Sequence, residues 1–481
     1  MNKPSFYFPR VLLCLRLSAL ASALLLSACA HVPPESASTV PAGIPETLDN
    51  SLLSAKQGWP GSQWWEQYRD EQLNGLIQVA LSESPSLQIA ATRVRQAQAQ
   101  LAASRAEQDI GGALNASANR QRYSGTGLFP PPIGGNYYTE ETVQAQISYD
   151  LDWWGKHRAQ FAAALGEVRA REAESAVAER NLIAAIVQTY FGLQADMAHQ
   201  AQLKTLMTLT EAVREQQTRR LKQGLGTAEE LRQSELQLAQ WRSQDAALNA
   251  ARLRHKEALQ ALAGTGHLSE IQPLPLPAAQ NQLPDRLGME LLARRPDLQA
   301  ASWRIRAAMS RVEWSQAAYY PDINLIAAVG LDSIAVGDLI NAASRTVYLA
   351  PTLSLPLFEQ KKLDAGLGKA RAERDQALAE YRQAVINVVR DVAQAVVDVN
   401  AAEAQIQEQQ AMLNTSEASL HSAREKLQHG LASRQDCLLA ELALERQRDA
   451  LLNARLQSLS AAITLDGALG GGYRHAGENS Q

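Results

Sequence analysis

The sequence predicts a mainly α-helical fold completed by a membrane β-barrel, and three observations carry that prediction. Two proline-free stretches of about 68 residues, Gly155 to about Gln223 and Lys361 to about Gln428, space apolar residues three to four apart. Several short segments instead alternate apolar and polar residues with period two. The whole arrangement occurs twice, so the unit is a duplicated strand pair plus long coiled-coil helices.

The duplication is legible residue by residue. Ser84-Pro85-Ser86-Leu87-Gln88 is echoed by Arg295-Pro296-Asp297-Leu298-Gln299. Arg220-Leu221-Lys222-Gln223-Gly224-Leu225 is echoed by Lys426-Leu427-Gln428-His429-Gly430-Leu431, and Glu235-Leu236 by Glu441-Leu442. The offsets stay within 206–211 residues, which is a tandem repeat and not chance similarity.

Residues 1–28 read as a secretory signal. Lys3, Arg10 and Arg16 form its positive end, and Leu17 to Leu26 is apolar but too short to span a bilayer. Leu26-Ser27-Ala28-Cys29 matches the bacterial lipoprotein box, which predicts lipidation of Cys29 and durable anchoring by several acyl chains. Ala30, where an aspartate would signal retention at the inner membrane, favours the outer one by resemblance to bacterial lipoproteins. The Pro/Ser/Thr/Ala-rich residues 29–50 read as an extended tether.

The first repeat is expected over 51–283, with helices 85–109, 155–223 and 227–263 and strands 112–123 and 142–152. The second is expected over 284–473, with helices 296–318, 361–428 and 433–469 and strands 321–332 and 346–357. A flexible tail, 474–481, follows. Each long helix would run about 100 Å and must bury its stripe against neighbours. Leu182, Ile186, Tyr190 and Leu193 mark that stripe in the first repeat; Val385, Val388, Val392 and Val396 mark it in the second. Gly470-Gly471-Gly472 follows the last helix and reads as a helix stop.

Thr142 to Asp152 alternates most cleanly, with Val143, Ala145, Ile147 and Tyr149 opposite Gln144, Gln146, Ser148 and Asp150. Such strands suit either soluble hairpins or membrane crossings, and the lipoprotein signal favours the membrane. Gln144, Gln146, Ser148 and Asp150 are then the barrel-lumen residues. Four strands cannot close a barrel, since the smallest transmembrane barrels need about eight, so the chain must pool strands with copies of itself.

Composition excludes several classes. The formal charge of −4 becomes −7 once Lys3, Arg10 and Arg16 leave with the signal, the wrong sign for a nucleic-acid binder. Cys437 alone remains beside Cys29 in the mature chain, so no disulfide framework exists. The eight histidines are scattered with no metal-ligand spacing, and no motif calls for a cofactor. An enzyme would have only Asp150 and Asp152 as a carboxylate pair, with no accompanying base. A lipid-tethered coiled-coil spacer or adhesin stays open as the alternative, although it leaves the alternating segments unexplained.

Several further motifs carry a family resemblance. They are Leu291-Leu292-Ala293-Arg294-Arg295-Pro296-Asp297-Leu298, Tyr320-Pro321, Leu355-Pro356-Leu357-Phe358 and Tyr149-Asp150-Leu151-Asp152-Trp153-Trp154-Gly155-Lys156. With Trp64-Trp65 near one end and Gly470-Gly471-Gly472-Tyr473 near the other, the chain resembles the TolC/OprM outer-membrane efflux family, in its lipidated NodT-type branch. Glu359-Gln360-Lys361 departs from the Asp-Gly-Gly frequent at that corner of the family.

The resemblance implies a homotrimer with a 12-strand barrel continuing into a periplasmic α-helical tunnel. It implies a passive exit duct for small toxic compounds, opened by a periplasmic membrane-fusion adaptor protein bound to an inner-membrane pump. The adaptor-contacting tip would be Gly224, Leu225, Gly226 and Thr227 with Gly430, Leu431, Ala432 and Ser433. A tunnel constriction would lie nearby; counting back from Gly430 gives Arg424 and His421 as its candidates, with Glu417 and Glu425 close in register.

Overall fold

The computed structural model describes residues 32–34, 59–280, 291 and 294–473. The signal, Cys29, most of the tether and the tail lie outside the described residues. After a 3-10 turn at Trp64–Tyr68, the described chain runs α1 Glu71–Glu83, α2 Pro85–Ala106, β1 Gly111–Arg122, β2 Tyr137–Asp150, α3 Lys156–Lys222 and α4 Ala228–Ala263. It continues with α5 Pro296–Ala317, β3 Asp322–Ser333, β4 Arg345–Ser354, α6 Gln360–Gln428 and α7 Arg434–Ala468. Two compact units result, and each draws segments from both sequence repeats. They cut across the duplication because the strand pairs of both halves hydrogen-bond into one sheet.

The first unit contains residues 94–170 and 301–381, with 32–34 against them. Its sheet is an antiparallel meander in the order β1-β2-β3-β4. The register pairs Ala145 with Leu114 and Val329, and Val329 in turn with Val347. One-residue steps alternate faces, so Leu114, Ala145, Val329 and Val347 share one face, while Asn115, Gln144 and Thr346 share the other together with Ile326, Ala328 and Tyr348. Strand β2 begins at Tyr137, earlier than alternation predicts, because Tyr137 to Glu141 pair with Arg122 to Ala118 whatever their side chains. Strand β4 stops at Ser354, earlier than predicted, because its partner β3 begins at Asp322 opposite it. Residues 32–34 are not free tether: Arg371 donates to the carbonyls of Pro33 and Pro34.

The second unit contains residues 59–93, 171–280, the described part of 291–300, and 382–473. Its largest core gathers Trp64, Trp65 and Tyr68 with Leu73 and Ile77 of α1, Tyr190 and Phe191 of α3, Leu259 of α4, and Leu459 and Ile463 of α7. Asp70 ties this core together. One carboxylate oxygen accepts from the Gln72 and Leu73 amides and caps α1, while the other accepts the Tyr190 hydroxyl at 2.6 Å. Burial and that carboxylate push the Tyr190 phenol well above its ordinary pKa. Two smaller clusters bind the long helices pairwise: Leu203, Leu206 and Val213 of α3 with Leu438 and Leu442 of α7, and Leu413 and Leu420 of α6 with Cys437, Leu444 and Leu451 of α7. These are the coiled-coil contacts the helix stripes call for.

The terminal glycines do more than stop a helix. Gly470, Gly471 and Gly472 all have positive φ, and Cβ atoms there would meet the Arg294 carbonyl, the Arg180 side chain and the Gly61 backbone. Only glycine can pass so close.

Candidate channel wall and helix tips

The channel-wall candidate is the sheet of the first unit. Its apolar face carries Leu114, Ile147, Val329, Val347, Leu349 and Leu353, all exposed, with Val347 at 84%. A soluble sheet would cover such a face; this one leaves it bare across every strand. Gln144 and Gln146 stand on the opposite face, paired with Asn115 and Ala113 of β1 and with Gly330 and Ala328 of β3. Ser148 lies there too, opposite Gly111 and Ile326. Among the described residues, strands β1 and β4 each keep one unpaired edge, a row of N–H and C=O groups that another sheet edge can complete. Among the described residues no helix is long and apolar enough to cross a membrane; the strands are the elements with a membrane-compatible pattern.

Aromatic residues gather at both ends of the apolar band. Trp153, Trp154 and Phe358 are exposed at the end that leads into the helices, and Phe129 and Tyr137 are exposed at the loop end. Amphipathic rings at both margins are what a bilayer's two interfaces favour.

Asp150 and Asp152 build the corner from β2 into α3. Asp150 holds His157 at 3.0 Å, and Asp152 accepts from the amides of His157 and Arg158 at the start of α3. Lys156 meets Asp322 at 2.9 Å, while Trp154 stacks on Tyr320 with centroids 4.6 Å apart and donates to the Pro321 carbonyl. The motif from Tyr149 to Lys156 is thus a strand-to-helix joint. Asp150, expected as a lumen residue, spends its carboxylate on that joint.

The tips lie in the second unit and are built alike. Gly224 and Gly430 take φ of 72° and 70°, and the next amide reaches back to the Arg220 or Lys426 carbonyl at 2.8 Å in each case. These are glycine C-caps of the Schellman type. A capping box then starts each return helix, Thr227 with Glu230 and Ser433 with Asp436. The Ser433 hydroxyl and amide hold the Asp436 carboxyl below its usual range. Gly226 and Ala432 keep the turns slim, and Leu225 and Leu431 project from them, 67% and 78% exposed.

The constriction candidates are already engaged within the chain. Arg424 donates to Glu441 of α7 at 2.9 Å, and the partner raises its pKa further. His421 meets Glu425 at 3.3 Å, and Arg448 meets Glu417 at 3.8 Å. Residues that spacing did not single out bridge the helices higher up: His199 on α3 to Asp449 on α7 at 2.6 Å, and His255 on α4 to Asp196 on α3 at 2.7 Å. No group of three or more His, Cys, Asp or Glu that could hold a metal comes together among the described residues.

The sequence profile of the outer membrane efflux proteins matches residues 76–265 and 287–471, one segment in each repeat. The chain belongs to this family. Multidrug resistance outer membrane protein MdtP of Escherichia coli and of Shigella flexneri is 34% identical over 481 residues, 97% of each chain. The putative multidrug resistance outer membrane protein MdtQ of Shigella flexneri is 33% identical, covering 98% of this efflux-family chain and all of its own. Among solved structures, the outer membrane protein VceC of Vibrio cholerae is 30% identical with a TM-score of 0.77, over 86% of this chain and 100% of its own. The outer-membrane channel OprN, at 23% identity and a TM-score of 0.81, shares the fold. The efflux family consists of outer-membrane channels with a β-barrel and a helical tunnel, and this member is an outer-membrane efflux channel protein.

Proposed function

We propose that the chain is the exit-duct subunit of a tripartite efflux system that carries drugs or small toxic compounds out of the cell. Three copies would pool their four-strand sheets into one 12-strand barrel, with long helices lining the periplasmic path. The duct is passive and performs no catalysis; an inner-membrane pump supplies the energy, and a periplasmic adaptor opens it at the helix tips. The observation that carries the reading is the two-faced sheet, with a bare apolar band on one side, Gln144, Gln146 and Thr346 on the other, and open edges at β1 and β4. The multidrug-resistance relatives support the substrate class.

The slim glycine turns with projecting Leu225 and Leu431 are the proposed adaptor contacts. Cys29, in its lipoprotein box, is the proposed lipid anchor in the outer membrane. The test is accumulation of a fluorescent efflux substrate in cells lacking the gene, with the partner pump overexpressed. The reading expects accumulation to rise and to be reversed by the intact gene; unchanged accumulation would contradict it.

A further inference from the structure

We propose that Arg371 and an apolar seat beside it form a dock for the residues immediately behind the lipidation site. The dock would make the acyl chains enter the membrane beside the barrel rim instead of at the end of a loose leash. This rests on the reading of Cys29 as the lipid-bearing residue.

Arg371 on α6 donates one guanidinium nitrogen to the Pro33 carbonyl at 2.8 Å and another to the Pro34 carbonyl at 3.1 Å. Two consecutive prolines offer no N–H, so their carbonyls are the only backbone handles there. A planar guanidinium can serve two neighbouring carbonyls at once, which a lysine ammonium does less well. Val32 packs against the buried cluster of Val312, Tyr319 and, from α6, Leu367 and Ala370. The Tyr319 hydroxyl donates to Asp364 at 2.8 Å and locks the two walls of that seat together.

The position matters because cleavage before Cys29 would leave little chain ahead of Val32. Cys29 precedes it by three residues, a reach of about 11 Å even when fully extended. A cavity of about 610 Å³ opens beside Val32, walled by the stacked Trp154 and Tyr320 and by Arg158. These rings belong to the aromatic margin of the sheet, the level at which a bilayer interface would lie. A lipid attached within that reach is delivered at the interface, next to the strand ends.

The experiment uses full-length protein in outer membranes, carrying Val32→Cys and Ala370→Cys. Mild oxidation is followed by mass spectrometry of the linked peptides, with palmitate incorporation measured in parallel. The dock predicts efficient cross-linking, a drop of about tenfold when Arg371→Ala removes its charge-assisted hydrogen bonds, and partial recovery with Arg371→Lys. Poor cross-linking, or a yield indifferent to Arg371→Ala, would overturn the dock even if palmitate is incorporated. Loss of palmitate labelling with cross-linking intact would instead overturn the reading of Cys29 and, with it, the lipid-positioning role.

Discussion

Arg424 of α6 and Glu441 of α7 are joined across the second tip at 2.9 Å. The pair fastens an outgoing helix to its return helix just where the proposed duct would be opened. Glu441 is also the repeat counterpart of Glu235, so the duplication placed an acid at both tips and a matching arginine at only one: the position that matches Arg424 is Thr218. The two tips are alike in backbone and unlike in side-chain fastening.

Breaking that fastening is expected to loosen the second tip. Glu441→Gln should raise single-channel conductance in planar bilayers and speed proteolysis near Gly430, while Glu229→Gln, whose partner Arg232 lies on the same helix, should do neither. Equal behaviour of the two variants would remove Arg424 and Glu441 from any role in holding the tip.

The tip glycines are expected to be irreplaceable by branched residues. A β-branched side chain at Gly224 or Gly430 must take a left-handed conformation, at a cost of about 1–2 kcal/mol each. Gly430→Val should preserve outer-membrane levels yet weaken in-cell cross-linking to the adaptor and lower drug resistance. Unaltered cross-linking would move the contact elsewhere.

Stability is expected to depend on pH through Asp466. It is buried, 3% exposed, with Gln67 donating to it at 3.1 Å, and burial raises its carboxyl to about 7. The folded pKa lies above the unfolded value of 3.8, so the contribution of the protonated acid is fully present below about pH 4. It is lost as pH rises from there through 7, on the order of a few kcal/mol, and levels off above. Thermal midpoints of the detergent-extracted protein should therefore fall between pH 5 and 8. Asp466→Asn should flatten that slope and melt higher than the parent above pH 7; a parent-like slope would mean Asp466 is not the titrating group.

The sheet should discriminate its faces. Val347→Arg, on the apolar face, is expected to cost about 2–4 kcal/mol at mid-bilayer depth, whereas Thr346→Arg on the polar face should be tolerated. Gly330→Ala belongs with the damaging changes, because its Cβ would collide with the Val143 carbonyl and come within 2.9 Å of the Gln144 Cα. Heat-modifiable mobility of the extracted protein on gels reads all three.

Period and spacing made much of the fold legible. The alternation from Thr142 to Asp150 and the stripes of α3 and α6 are intrinsic to the residues, and the sheet and the coiled-coil contacts follow from them. Helix α1 carried the same signals, with Asp70 as its cap and Leu73, Leu76, Ile77 and Ala80 on one face. The rest depended on tertiary register. The charge of Arg424 looks free until α7 brings Glu441 against it. Asp466 looks like a surface acid until Gln67 and the surrounding core enclose it. Asp150 keeps the face of Gln144, and its bond to His157 becomes visible only where β2 runs into α3.

The most direct test is the oligomeric mass of the native protein extracted from outer membranes, together with electron-microscope images of the same particles. Three copies forming a hollow cylinder would satisfy the two open sheet edges and the bare apolar face. A monomer, or a solid rod, would leave those edges unpaired and contradict the duct.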